Sequence, residues 1–148
     1  MARRRVALIE CDHVIADLRH VAGDSGDMFE ARFGADAPEL DLVRIDAVGG
    51  EALPDVGDFD GYLLTGSKHS VNDPLPWLED LRHLLVDAHD RAVPVVGICF
   101  GHQLIAQALG GRVERAPVGW GVGVHTARVV ARAAWMDPAA DVIRLLVS

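Results

Sequence analysis

Gly97, Ile98, Cys99, Phe100 and Gly101 spell G-x-C-x-G, a spacing that sets a thiol between two residues without β-carbons. A nucleophile held at a sharp strand-to-helix turn needs that pattern. The strained backbone lifts the side chain into a cleft, and the glycines let neighbouring chain approach without steric conflict. The helix that follows aims its first N–H groups and positive dipole end at the sulfur, which favours thiolate, the form that attacks carbon. The Phe100 N–H then points toward a developing oxyanion. The opposing interpretation makes Cys99 a buried cysteine packed as a small hydrophobe, the commoner fate of a single thiol. Both glycines and the strand-to-helix context favour the nucleophile. Cys11 has no such frame and reads as a passive thiol.

Such a turn requires a buried strand before it and a helix after it. Pro94 to Ile98 is a Val/Ile run without alternation, the pattern of a central parallel strand covered on both faces, and Gln103 to Leu109 has helical spacing ended by Gly110 and Gly111. Upstream, Val6 to Ile9, Leu40 to Ile45 and Tyr62 to Leu64 read as strands, the first running into the polar cluster Glu10, Cys11, Asp12 and His13. Asp24 to Asp27 offer N-cap chemistry to a helix carrying Met28, Phe29 and Phe33 on one face, with Gly34 as its stop. Trp77, Leu81, Leu84, Leu85 and Ala88 mark another helix, after a polar loop that runs from Thr65 to Pro76. Val122 to Val130 reads as a strand, and the apolar run Ile143 to Val147 as an element cut short.

Strands alternating with helices predict an α/β fold: an open, mostly parallel sheet with helices on both faces, formed as a single domain over residues 1–148. Ligands bind outside the carboxyl ends of the strands in such sheets, and the most polar exits follow Ile9, Leu64 and Ile98. Half of the 148 residues are hydrophobic and the net charge is -8. This excludes disorder and gives no attraction to phosphate backbones or anionic membrane, so neither nucleic acid nor membrane is expected as a partner. The apolar run behind Arg3, Arg4 and Arg5 is too short for a signal peptide, and no transmembrane span follows. Two cysteines in such a chain are expected as thiols in a reducing compartment, the cytoplasm.

The segment Gly97-Ile-Cys-Phe-Gly-His-Gln103, continued by Leu104-Ile-Ala-Gln-Ala-Leu-Gly-Gly111, resembles the nucleophile segment of class I glutamine amidotransferases, in the branch similar to the amidotransferase domain of GMP synthase. Thr65-Gly-Ser-Lys-His-Ser-Val-Asn-Asp73 resembles the family's oxyanion loop, and Gly119-Trp-Gly-Val-Gly123 follows in family order. The resemblance implies a flavodoxin-like sheet and a glutaminase mechanism. Cys99 attacks the glutamine side-chain amide, ammonia leaves, and water resolves a γ-glutamyl thioester. It assigns the N–H groups of Ser67 and Phe100 as oxyanion donors, Gly66 and Gln103 as substrate contacts, and Gly97 and Gly101 as the structural elbow. Ser67 stands where many relatives have a second glycine. No cofactor or metal is implied. The partners implied are glutamine or a γ-glutamyl compound, and a synthetase that accepts ammonia.

The family's base is a histidine followed two residues later by an acid. None of the seven histidines here is followed at that spacing by Glu or Asp. His102 reads as a local structural residue or one that supports the site from behind, His69 as a loop residue that either reaches the cleft or is simply solvated, and His83 and His89 as helix-surface residues. The chain therefore reads as a domain lacking its C-terminal part, with impaired turnover. The alternatives are a catalytically silent binding module of the same fold, or a cysteine hydrolase acting on γ-glutamyl or other compounds.

Overall fold

The computed structural model describes residues 3–147. β1 (Arg4–Ile9), β2 (Leu40–Ile45), β3 (Gly61–Leu64) and β4 (Val95–Gly97) form a four-stranded parallel sheet in the order β2-β1-β3-β4. Ile9 pairs with Ile45 and Leu64, and Leu64 pairs with Gly97, so all four strands end at one edge. Alternation along each strand divides the side chains between two faces. Ala7, Ile9, Tyr62 and Leu64 lie on one face, in a core shared with α3 (Pro76–Asp90) and α4 (Phe100–Ala108). Helix α3 forms because Leu78, Leu81, Leu85 and Ala88 recur at helical period and are all buried, with Pro76 at its start. On the other face Val6, Leu42, Leu63 and Val96 line an apolar cavity of about 230 Å³ together with Phe33 of α2 (Ser25–Asp36). Helices thus flank both faces.

Three expectations for this sheet and its helices need correction. β4 is not central: it lies at one edge of this four-stranded sheet, bonded among the described residues only to β3, and Val96 is 55% exposed. A Val/Ile run records what a strand could bury, not what lies beside it. Helix α2 does not stop at Gly34 but runs on to Asp36, because a glycine in open space only weakens a helix, whereas the residue ahead of Pro38 is pushed out of helical geometry. Helix α4 begins at Phe100 rather than Gln103, directly after Cys99. Asp24 caps α2 reciprocally with Asp27, as its position predicts. The segment between β1 and α2 also contains a single 3₁₀ turn (Ala16–Leu18) and a short helix, α1 (Arg19–Ala22), which local pattern did not reveal.

The chain divides into two units, one reaching to Val113 and the other starting at Glu114. The second unit is built on β5 (Gly123–Arg128) and β6 (Val142–Val147), an antiparallel pair in register from Gly123 opposite Val147 to Arg128 opposite Val142. β5 is shorter at both ends than the run Val122 to Val130 suggests. Among the described residues no helix is long and apolar enough to cross a membrane.

Candidate active site

Leu64 and Gly97 are paired across β3 and β4, and Ile98 N–H donates to the Leu64 carbonyl at 3.0 Å. Two residues past the end of each strand lie Gly66 and Cys99. The pairing therefore brings them together: a β-carbon on Gly66 would lie 3.8 Å from that of Cys99. Cys99 sits at the N-terminal boundary of α4 with φ 51° and ψ -103°. A side chain at positive φ persists only where surrounding structure over-determines it. The two glycines supply that constraint. A β-carbon on Gly97 would come within 2.5 Å of the Gly101 carbonyl oxygen and the His102 nitrogen, and one on Gly101 would meet the Leu64 β-carbon at 2.7 Å. The Cys99 side chain is exposed.

In the first turn of α4, Gly101 N–H donates to the Ile98 carbonyl at 2.9 Å and Gln103 N–H to the Cys99 carbonyl at 3.1 Å. Among the described residues the Phe100 N–H has no hydrogen-bond partner. Its ring is buried, with its centroid 6.0 Å from that of Trp77, which fixes this turn against α3. In the loop after β3, Ser67 Oγ accepts from His69 N–H at 3.0 Å and Lys68 N–H donates to Asp12 Oδ2 at 2.7 Å. The Ser67 N–H has no partner among the described residues. Two free N–H groups, on Ser67 and Phe100, thus belong to the two turns that meet at Gly66 and Cys99. Gln103 lies on the exposed side of α4 and touches this group through its backbone bond to Cys99.

The two thiols differ in environment. Cys11 is fully buried beneath Thr65, whose hydroxyl accepts its N–H at 2.9 Å, and burial pushes the thiol up to about 12. A thiol so buried is not nucleophilic near neutrality. Among the described residues no histidine hydrogen-bonds the Cys99 sulfur. His69 packs edge-on to Trp77, with ring centroids 5.9 Å apart, and His83, His89 and His102 are exposed. The far end of the loop is tied to both helices: Gln107 Nε2 donates to Asn72 Oδ1 at 2.7 Å, and Arg82 Nε donates to Gln107 Oε1 at 3.1 Å. Neither this tie nor the Asp12 contact was assigned from sequence. The polar cluster after Ile9 was the one signal of the latter.

Residues 32–136 match the family model described as glutamine amidotransferase class-I. The chain belongs to that family. It is 31% identical over 131 residues to gamma-glutamyl peptidase 5 of Arabidopsis thaliana, covering 86% of this chain and 51% of that protein. It is 43% identical over 58 residues to the glutamine-hydrolyzing GMP synthase of Clostridium kluyveri, covering 39% of this chain and 10% of that one. The fold matches a crystal structure of a glutamine amidotransferase from Thermotoga maritima with a TM-score of 0.78 at 22% identity, over 99% of this chain and 60% of that one. The mostly parallel sheet with flanking helices is thus the flavodoxin-like class I amidotransferase arrangement. The chain spans about half the length of the Arabidopsis gamma-glutamyl peptidase it matches.

Proposed function

We propose that Cys99 is the nucleophile of a γ-glutamyl transfer reaction whose substrate is glutamine or another γ-glutamyl amide. The observation that carries this reading is an exposed thiol held at φ 51° directly ahead of α4. Sulfur adds to the γ-carbonyl carbon, and the carbonyl electron pair moves to oxygen, where the free N–H groups of Ser67 and Phe100 receive the charge. The tetrahedral species collapses as the C–N bond breaks, the nitrogen leaving with a proton as ammonia or an amine. Water then attacks the thioester, releasing a γ-carboxylate and restoring the thiol. Gly66 and Gln103 are proposed to contact the bound substrate.

None of the seven histidines has Glu or Asp two positions on, so nothing here matches the family's base that would pass the proton to the leaving nitrogen. We expect the 148-residue chain to form the covalent adduct but to turn glutamine over orders of magnitude more slowly than a complete catalytic unit. Where ammonia is released, a partner synthetase is its proposed acceptor. The proposed location is the cytoplasm, where two free thiols persist.

A second reading, hydrolysis of γ-glutamyl peptides, is favoured by the match to the Arabidopsis gamma-glutamyl peptidase over 86% of the chain, against 39% for the GMP synthase. The deciding experiment is intact-mass analysis after incubation with a chloroketone analogue of glutamine. A single adduct on Cys99, absent from Cys99→Ser, supports the nucleophile. Ammonia released from glutamine, against an amino acid released from a γ-glutamyl dipeptide, separates the two reactions. A folded chain that forms no adduct would be a silent module.

A further inference from the structure

We propose that Asp12, at the exit of β1, is a positioning residue that holds the Ser67 N–H in place by gripping Lys68. The inference rests on the oxyanion role proposed for Ser67.

Asp12 Oδ2 accepts the Lys68 backbone N–H at 2.7 Å, while Oδ1 accepts Lys68 Nζ at 2.8 Å and the His13 N–H at 2.8 Å. One carboxylate therefore holds both the main chain and the side chain of a single residue. The Asp12 side chain is only 14% exposed, whereas that of Lys68 is 67% exposed. An ion pair open to water on one side adds little stability. A charge-assisted bond to a backbone N–H is stronger and fixes the plane of the peptide that carries it.

The peptide next to it is fixed from the other side. Thr65 Oγ1 donates to the Gly66 carbonyl at 3.1 Å, and Thr65 N–H donates to the Ile9 carbonyl at 3.1 Å. The Gly66 carbonyl and the Ser67 N–H belong to one planar trans peptide and point opposite ways. Holding the carbonyl toward Thr65 turns the Ser67 N–H away from it. Of three consecutive N–H groups, that of Lys68 is taken by Asp12 and that of His69 by Ser67 Oγ, which leaves the one on Ser67 free. Asp12 has a firm base for this. The adjoining His13 ring lies between Asp24 Oδ2 and Asp46 Oδ1, each at 3.0 Å.

Burial pushes the Asp12 carboxyl up, but hydrogen bonds from Lys68 and from His13 N–H outweigh it and leave its pKa below the ordinary value. The group stays ionised near neutrality. Gly66 adjoins Cys99, so slack in this loop changes the distance from the Ser67 N–H to a carbonyl under attack, and misplacement by about 1 Å costs up to about a hundredfold in rate.

The test compares two electrophiles on the 148-residue chain. A chloroketone analogue of glutamine is captured through addition of sulfur to its carbonyl, which develops an oxyanion, followed by displacement of chloride from the adjacent carbon as the carbonyl re-forms; iodoacetamide loses iodide by direct displacement at carbon and develops no oxyanion. Asp12→Ala is expected to slow capture by the chloroketone at least about tenfold and to change the iodoacetamide rate by less than about twofold. Asp12→Asn keeps an acceptor for the Lys68 N–H and is expected to recover most of that loss, and Lys68→Ala, which keeps the N–H, to stay within about threefold of wild type. Amide hydrogen exchange is expected to quicken at Lys68 in Asp12→Ala. Equal slowing of both electrophiles, slowing of neither, or unchanged exchange at Lys68 would overturn the proposal. If Asp12→Ala does not fold, Asp12→Ser, too short to span the contact, is read by the same criteria. A wild-type chain that reacts with iodoacetamide but not with the chloroketone would refute the γ-glutamyl reading, and Lys68 exchange would still decide whether Asp12 holds the loop.

Discussion

A β-carbon on Gly97 would lie 2.3 Å from the carbonyl carbon of Gly101, so β4 and the first turn of α4 meet backbone to backbone. Neither main chain can retreat without breaking the Leu64–Gly97 pairing or the turn that carries Cys99. Gly97→Ala is expected to destabilise the fold by about 2–3 kcal/mol and to abolish chloroketone capture at Cys99. Gly34 is the control. It lies in α2, and a β-carbon there would meet nothing within 4 Å, so Gly34→Ala is expected to stabilise by about 0.5–1 kcal/mol. Denaturant melts of both variants check the pair, and equal midpoints would sink the steric argument.

The same contrast explains what could be read from sequence. The turn at Cys99 was legible because its steric demand is local: two glycines within five residues. β1, β2 and β3 were legible as runs of β-formers between turn residues, and α3 as an apolar stripe at helical period. The outer place of β4 was not, because strand order is fixed by pairing between distant segments and Val95 to Gly97 would read alike in the middle of a sheet. The antiparallel partnership of β5 and β6 escaped for the same reason. Asp12 and Lys68 are 56 residues apart. Polarity at a strand exit flagged the first residue, but nothing local could name the second.

Glu10, also at the exit of β1, is 3% exposed, and Arg44 of β2 pairs with it through Nη2–Oε1 at 2.9 Å. Gly26 N–H adds a bond to the same oxygen at 3.1 Å. Bonds to Glu10 first, then to Asp27, raise the Arg44 pKa further above its usual value. Arg44→Met would leave a buried carboxylate with its main partner gone and is expected to lose about 2–4 kcal/mol, the lower part of the range reflecting the water that reaches Arg44. Glu10→Gln combined with Arg44→Met is expected to recover part of that loss. A thermal melt of both variants reads this out, and a double variant no more stable than Arg44→Met would count against the charge argument.

The two cysteines should separate cleanly under alkylation. Cys99 is exposed, whereas Cys11 is fully buried with its thiol pushed up to about 12 by burial. Iodoacetamide at pH 8 is expected to add one group to the folded chain, at Cys99, and a second only after denaturation. Peptide mapping checks the position. Early modification of Cys11 would mean that the β1 exit opens far more readily than its packing implies.

Acid should weaken the first unit through Asp24. Burial pushes this carboxyl up, but the N–H groups of Val14 and Ser25, each at 2.8 Å, and the nearby His13 and Arg19 lower its pKa below the ordinary value. A carboxyl whose pKa is depressed by folding binds fewer protons in the folded than in the unfolded chain at mildly acidic pH. Its contribution is present above the unfolded value of about 3.9 and is lost as pH falls through the folded one. Asp12 is shifted in the same direction, so the two losses accumulate in one window. The wild-type unfolding free energy is expected to hold between pH 7 and 5 and to drop below about pH 4. Asp24→Asn keeps a capping oxygen for α2 but no charge. It is expected to be less stable at pH 7 and to lose less on acidification, so that the two curves converge at low pH. Urea melts at pH 7, 5, 4 and 3 measure both curves, and parallel curves would show that Asp24 does not set the acid limit.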